Sequence, residues 1–234
     1  MFKGLKILCL VPARKNSKGI KNKNIKKILN KELIFYPINA AKKSKLIDKL
    51  VFSSDSIYYN NLAKKYGAKV FFKRPHNISK DNTSSFEVAK HAINFLEKKN
   101  YFFDILILLE PTSPLTNHSD IDNALRLMIN KKCRSLVSVL DAQKYSINFQ
   151  FEKIKGKLKP IKTKGTSKRR QDVINTYCLD GSLYISFISD FIINRGFISK
   201  KTLGYDMPVW KNIEIDNLDD LKLLEFITNS KSSC

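Results

Sequence analysis

Between Leu5 and Ile25 the chain reads LKILCLVPARKNSKGIKNKNI. Its first part, Leu5 to Val11, is a short run, apolar apart from Lys6, with the length and bounding signals of a buried strand. The run opens into a loop that gathers Arg14, Ser17, Lys18, Gly19 and Lys23. A strand that ends in such a loop puts cations and unpaired backbone N–H groups at the carboxyl edge of a sheet. Ligands of α/β sheets bind at that edge, and a polyphosphate could be held there. Neither common phosphate-loop spelling is present, since only Gly19 lies in the loop.

Working outward from this segment, strand and helix patterns alternate. Leu33–Lys45 reads as an amphipathic helix, Leu50–Ser53 as a strand, and Ser56–Tyr66 as a helix. A short strand is predicted at Lys69–Phe72, and a helix at Ser84–Lys98 with Thr83 or Ser84 as its N-cap. Asp104–Leu109 has the apolar continuity of a central strand, Asp120–Asn130 is helical, and Ser135–Leu140 returns as a strand. This alternation predicts a three-layer α/β domain with a mainly parallel sheet. From Asp141 to Leu179 the pattern breaks into a basic, aromatic-containing stretch, expected to be irregular or a small β subdomain. The sheet is expected to resume at Ser182–Ser186. The tail, Asn217–Asn229, reads as a helix with Leu218, Leu221, Leu224 and Phe226 on or near one face. The predicted division is therefore residues 1–140 plus 180–234 as one domain, with 141–179 inserted.

Composition narrows the class. At 234 residues and 43% hydrophobic content, the chain can bury a substantial core in one large domain. No apolar stretch is long enough to span a bilayer, and the N-terminal run is too short for a signal segment, so a cytoplasmic location is expected and a membrane partner is not. The four cysteines and three histidines are dispersed, without metal-site or disulfide spacing. The net charge of +22 points toward anionic partners. Arginine supplies only seven of the 43 cations, and the lysines recur along the whole chain, as a solvated surface does. That field should draw in small anions in a salt-dependent way.

The segment from Val11 to Ile25 resembles the nucleotide-binding signature of the CMP-sialic acid synthetases, the cytidylyltransferases that activate nine-carbon 2-keto sugar acids. Four further segments come in that family's order. The second is Arg74-Pro75, with Asp81 and Thr83-Ser84-Ser85 before a helix. The resemblance implies that Arg74 and Ser85 help hold the cytidine nucleotide, with Arg14, Ser17, Lys18 and Lys23 around the phosphates and Asn24 at the nucleoside. The third, Leu108-Leu109-Glu110-Pro111-Thr112-Ser113-Pro114, carries Glu110 where the family usually has a glutamine lining the sugar site. A carboxylate only accepts hydrogen bonds, so Glu110 suits sugar hydroxyls or acylamino N–H groups and repels the sugar's own acid group.

The fourth segment runs from Arg169-Arg170-Gln171 to Asp180-Gly181-Ser182-Leu183-Tyr184-Ile185. By resemblance, Arg170 clamps the sugar's carboxylate, a task suited to a planar guanidinium, and Tyr184 lines the sugar site. Asp180 and Cys178 depart from the family's usual asparagine and arginine. The fifth is Ile213-Glu214-Ile215-Asp216. On a strand, Glu214 and Asp216 project to one face, where both can approach a Mg²⁺ that holds substrate phosphates. Asp219 and Asp220, just beyond, read as helix-capping charge.

The resemblance implies a Rossmann-like nucleotidyltransferase domain, an insertion serving dimerisation, and a homodimer. It implies transfer of CMP from CTP to a sialic acid or a relative such as legionaminic acid, with Lys18, Arg14 and Lys23 catalytic, and no general base declares itself. A cytidylyltransferase for an eight-carbon or differently modified keto acid is the nearer alternative. A non-catalytic nucleic-acid-binding protein is the distant one, since the Glu214/Asp216 pair and the proline-rich lip have no use in it.

Overall fold

The computed structural model describes residues 1–17, 19–142, 146–161, 169 and 175–231. In chain order its elements are β1 (Ile7–Pro12), β2 (Lys27–Ile28), β3 (Lys31–Glu32), α1 (Phe35–Lys43), β4 (Lys49–Ser53) and α2 (Ile57–Lys65). Then come α3 (Ser85–Glu97), β5 (Ile105–Leu109), α4 (His118–Asn130), β6 (Ser135–Asp141), β7 (Phe151–Ile154) and β8 (Lys157–Pro160). The last are β9 (Tyr177–Phe187), α5 (Ile188–Ile193), β10 (Leu203–Asp206) and α6 (Leu218–Lys231).

A six-stranded sheet in the order β10-β6-β9-β5-β1-β4 organises the molecule. β1 lies parallel to both β4 and β5, and β10 parallel to β6, while β9 runs antiparallel between β5 and β6. Both faces are covered, which is why β1 and β5 read as unbroken apolar runs rather than alternating ones. Ile7, Cys9 and Val11 pack with buried residues of α1, α2 and α4; Leu8 and Leu10 pack with Ala89, Ala92, Ile93 and Leu96 of α3 and with Phe191 of α5. The strand period of two thus assigns each β1 side chain to one helical layer or the other. A third cluster, Ile20, Ile28, Leu33, Ile213, Ile215 and Leu224, ties the loop after β1 to the C-terminal segment.

The parallel α/β frame matches the sequence expectation, with local differences. The strand predicted at Lys69–Phe72 reduces to a single parallel bridge between Val51 and Lys69. Lys69 exchanges two backbone hydrogen bonds with β4, and the chain then turns so that Arg74 N donates to Ser54 O at 2.9 Å. β9 begins before the expected Ser182 and is antiparallel, a direction no periodicity reveals. Within 141–179, β7 and β8 form an antiparallel hairpin. Its turn, Lys155-Gly156, has φ of 48° and 82°, as a two-residue hairpin of native twist requires. On α6, Leu224 is buried and Leu221 half-buried, but Leu218 and Phe226 are 61% and 71% exposed, so they do not share the core face predicted for them. The helix presents Leu221, Leu224 and Ile227 inward instead, at spacings of three.

Candidate active site

The strand order reverses direction at β1: the chain moves from β1 to β4 on one side, then crosses to β5 on the other. The crevice at the carboxyl ends of β1 and β5 is the topological switch point, where α/β sheets place ligands. A cleft of about 590 Å³ lies there, walled by the loop after β1, the segment 74–85, Glu110 and Thr112, β9 at Gly181 and Tyr184, and Glu214 with Asp216. Of the residues expected to form a site, Arg14, Ser17, Lys23, Asn24, Arg74, Ser85, Glu110, Tyr184, Glu214 and Asp216 all line it. Lys18 and Arg170 lie outside the described residues.

The loop after β1 is pinned from beneath. Asn24, buried, donates its side-chain amide to Arg14 O at 3.0 Å; Lys15 N donates to Asp55 Oδ1 at 2.9 Å; and Tyr59 Oη donates to Lys15 O at 3.3 Å. Gly19 is forced by contact: a Cβ there would meet the carbonyl oxygen of Asp216 at 2.4 Å, so only glycine lets the loop and the acidic segment close on each other. Arg14 is ion-paired with Asp81, and Lys23 Nζ stands 3.0 Å from Asp216 Oδ1. The Ser17 hydroxyl is buried without a hydrogen-bond partner among the described residues.

Distant from these groups in sequence, but joined to them in space, is the start of α3. Ser84 caps it, accepting from Glu87 N at 3.2 Å while Glu87 accepts from Ser84 N at 2.9 Å. The first helical residue, Ser85, therefore lines the cleft with the N–H groups of a helix start, a favourable place for an anion. Arg74 is 4% exposed and donates Nε to Ser79 Oγ at 3.1 Å. Burial lowers its pKa from the ordinary value, opposed by the nearby charges of Asp55 and Glu110.

Three acidic groups define the other half. Burial, with the charge of Glu214, raises the Glu110 carboxyl to about 7 despite the cations Arg74 and Lys23. Glu214 is raised too, by burial and by the charges of Asp216, Asp180 and Asp220, with Lys23 opposing. Tyr184 is raised to about 12, chiefly by burial and then by Glu110 and Glu214, so its phenol stays protonated and able to donate. Ile213 to Asp216 is not a strand of the sheet, as the sequence suggested. Its backbone is tied to the turn after β5 by the hydrogen bond from Ile215 N to Thr112 O at 2.8 Å, with Ile213 N donating locally to Lys211 O at 2.8 Å. The alternation survives without the ladder: Ile213 and Ile215 are buried, and Glu214 and Asp216 emerge on the other side.

Glu214 and Asp216 are the residues suited to a metal. Among the described residues no group of three or more His, Cys, Asp or Glu side chains gathers. Two crowded carboxylates facing an anion cradle are nevertheless the donor set for a hard divalent cation that keeps waters and takes phosphate oxygens. Asp220 serves differently. Its Oδ2 accepts from Asp216 N and Asn217 N at 2.8 and 2.9 Å, which makes it a cap of α6.

The residues that sequence reasoning left without a role are Asp81, Asp55, Tyr59 and Gly181. Asp81 stands inside a quoted segment, and Asp55 comes two residues after a strand end; both positions border the carboxyl edge of the sheet. Gly181 likewise stands inside a quoted segment, whereas Tyr59 gave no signal, because its contacts join distant parts of the chain.

A family model described as cytidylyltransferase matches residues 8–191. The chain belongs to the cytidylyltransferase family. It is 34% identical over 230 residues to post-translational flagellin modification protein B of Campylobacter coli, with 97% of this chain and 96% of that one covered. It is equally 34% identical, over 231 residues with the same coverage, to CMP-N,N'-diacetyllegionaminic acid synthase of Campylobacter jejuni. Among solved structures, a CMP:2-keto-3-deoxy-manno-octonic acid synthetase complexed with CTP superposes with a TM-score of 0.68 at 13% identity, covering 97% of this chain and 99% of that one. The structural likeness establishes the fold: this cytidylyltransferase has the α/β nucleotidyltransferase architecture, with its cleft at the sheet's switch point.

Proposed function

We propose that the protein transfers the cytidylyl group of CTP to a nine-carbon 2-keto-3-deoxy sugar acid, a sialic acid or a relative such as legionaminic acid, releasing pyrophosphate. The observation that carries this reading is the gathering in one cleft of an anion cradle, Arg14, Lys23, Arg74 and the start of α3, and of the carboxylates Glu110, Glu214 and Asp216, with Lys23 and Asp216 in direct contact. The similarity to a legionaminate-activating enzyme over nearly the whole chain supports the sugar class.

In this reading the anomeric hydroxyl attacks the α-phosphorus roughly in line and pyrophosphate leaves. The protein's work is positioning and neutralising charge. Arg14, Ser17, Lys18 and Lys23 receive the phosphates, Asn24 holds the loop at the nucleoside, and Arg74 and Ser85 complete the nucleotide half. For Arg14 and Lys23 to bind phosphate, their bonds to Asp81 and Asp216 exchange for the ligand's oxygens. Glu214 and Asp216 would hold Mg²⁺, which when bound supplies neutralisation of the phosphate charge. In the sugar half, Glu110 accepts from sugar hydroxyl or acylamino N–H groups, Tyr184 donates its phenol, and Arg170 takes the carboxylate.

A homodimer belongs to the same reading, with residues 141–179 as its contact region beside the nucleotide-binding domain of 1–140 and 180–234. The exposed Phe151, Ile154, Leu158 and Ile161 of the hairpin support it, and light scattering tests it. A cytoplasmic location accords with CTP as co-substrate. No helix among the described residues is long and apolar enough to cross a membrane.

The deciding experiment is pyrophosphate release from CTP and Mg²⁺ with N-acetylneuraminate, legionaminate, pseudaminate and an eight-carbon keto acid in parallel. Turnover with a nine-carbon acid is expected. Turnover confined to the eight-carbon acid, or silence with all four despite CTP binding, would overturn the assigned sugar class.

A further inference from the structure

Asp180 stands immediately before Gly181 in β9, and the transfer step as described does not use it. Its side chain is buried, at 5% exposure, in a polar knot next to the cleft-lining Gly181, close enough for its charge to act on Glu214 and Tyr184. Oδ1 accepts from the Ser138 hydroxyl and from Ser182 N at 3.1 Å, and Oδ2 accepts from Ser182 Oγ at 2.6 Å. Ser138 Oγ in turn accepts from Leu183 N at 2.9 Å.

A break in the ladder accounts for this knot. Val137 pairs with Tyr184 and Val139 with Leu179, so Ser138 alone faces residues 180–183. The extra residues of β9 bulge out of the sheet, and their freed backbone groups need partners. The Ser138 hydroxyl and the Asp180 carboxylate provide them from the side chains. At the crest, Gly181 has φ +75°, and a Cβ there would stand 3.2–3.3 Å from the carboxylate atoms of Glu214. The bulge backbone is therefore packed directly against Glu214.

We propose that Asp180 is a positioning residue for the acidic edge of the site: it holds the β9 bulge closed, so that Gly181 forms a fixed wall against the Glu214 carboxylate, which would hold a divalent cation. This rests on the reading of Glu214 as a metal-holding residue. The three donors around Asp180 also explain why a carboxylate suits the position. An asparagine has only one acceptor oxygen, and can keep most of the knot only by turning Ser182 Oγ into an acceptor.

The test is Mn²⁺ binding to the full chain, followed by electron paramagnetic resonance with CTP present, alongside the KM for CTP. Asp180→Ala is expected to weaken Mn²⁺ by roughly 10–100-fold, the usual cost of removing a group that orients a metal ligand, with the CTP KM little changed once Mg²⁺ is saturating. Asp180→Asn should restore most of that loss, and Ser182→Ala should fall between. Circular dichroism establishes folding first; should Asp180→Ala not fold, Ser182→Ala and Asp180→Asn decide. Unchanged Mn²⁺ affinity in a folded Asp180→Ala or Ser182→Ala protein would overturn the proposal, as would an asparagine variant as damaged as a folded alanine one. Absence of Mn²⁺ binding by the unaltered protein would overturn it together with the metal role of Glu214. Continued CMP-sugar formation in that case would leave the transfer reaction standing.

Discussion

Glu110 directly follows β5 inside a cleft that also holds Glu214, and its carboxyl is raised to about 7 by burial and that neighbour. A carboxyl that titrates near 4.5 when unfolded and near 7 when folded binds more protons in the folded state between those values. Linkage then makes stability fall as pH rises through this window, because the folded protein must ionise a group it disfavours. Glu110→Gln removes the effect. It is expected to leave stability unchanged near pH 4 and to raise it by on the order of 2–3 kcal/mol at pH 8. Urea unfolding at both pH values measures this, and an equal effect at both would show that Glu110 is not held protonated. That Glu110 borders a site was legible from the sequence, since it ends an apolar run at a proline turn. Its electrostatics were not, because Glu214 and Arg74 reach it from distant parts of the chain.

At the scale of elements, the N-terminus of α3 separates a capping hydroxyl from one that lines the cleft. Ser84 accepts the helix's own Glu87 N–H, whereas the adjacent Ser85 lines the cleft. Ser84→Ala is expected to cost about 1 kcal/mol of stability with little change in the CTP KM. Ser85→Ala should raise that KM and leave the melting temperature close to the parent's. If the two variants exchanged these phenotypes, the capping assignment would be wrong. A second element-level contact is the buried pair of Lys211 with Asp120, whose Nζ–Oδ2 distance is 2.5 Å. Asp120 also accepts from Asn117 N at 2.9 Å at the start of α4, so the pair joins that helix to the segment leading into Ile213–Asp216. Lys211→Met leaves Asp120 buried without its cation and is expected to destabilise by about 3–5 kcal/mol. A thermal shift within error of the parent would sink that expectation. Elements were legible where one local pattern governs them: β1, β5 and five of the helices arise from apolar runs, apolar faces and caps. The segments 69–72 and 213–216 read as strands because their composition suits extended chain, yet each makes few backbone bonds to a neighbour. The core face of α6 was misassigned because two apolar residues, Leu218 and Phe226, lie off it.

For the whole molecule, one topological fact assembles the site: the reversal of strand order at β1 brings the ends of β1 and β5, the start of α3 and the C-terminal segment to a single crevice. Sequence order alone could not show that β9 enters antiparallel and delivers Gly181 and Tyr184 to the same place. Around this crevice the chain carries a net charge of +22, spread over the surface rather than concentrated in the cleft, where acidic and basic groups meet. Such a distributed field acts on the approach of an anionic nucleotide more than on the bound complex. Raising ionic strength from about 0.01 to 0.15 M shortens the screening length from roughly 30 to 8 Å, which removes most of that long-range attraction. The kcat/KM for CTP is therefore expected to fall by about tenfold across this range, the lower end of electrostatic steering, while kcat at saturation changes much less. Initial rates over a sodium chloride series at fixed free Mg²⁺ measure both. A flat kcat/KM would mean that the lysine excess serves solubility or another partner; a parallel fall in kcat would move the salt sensitivity into the bound site, to the exchange of the Arg14–Asp81 and Lys23–Asp216 pairs for phosphate.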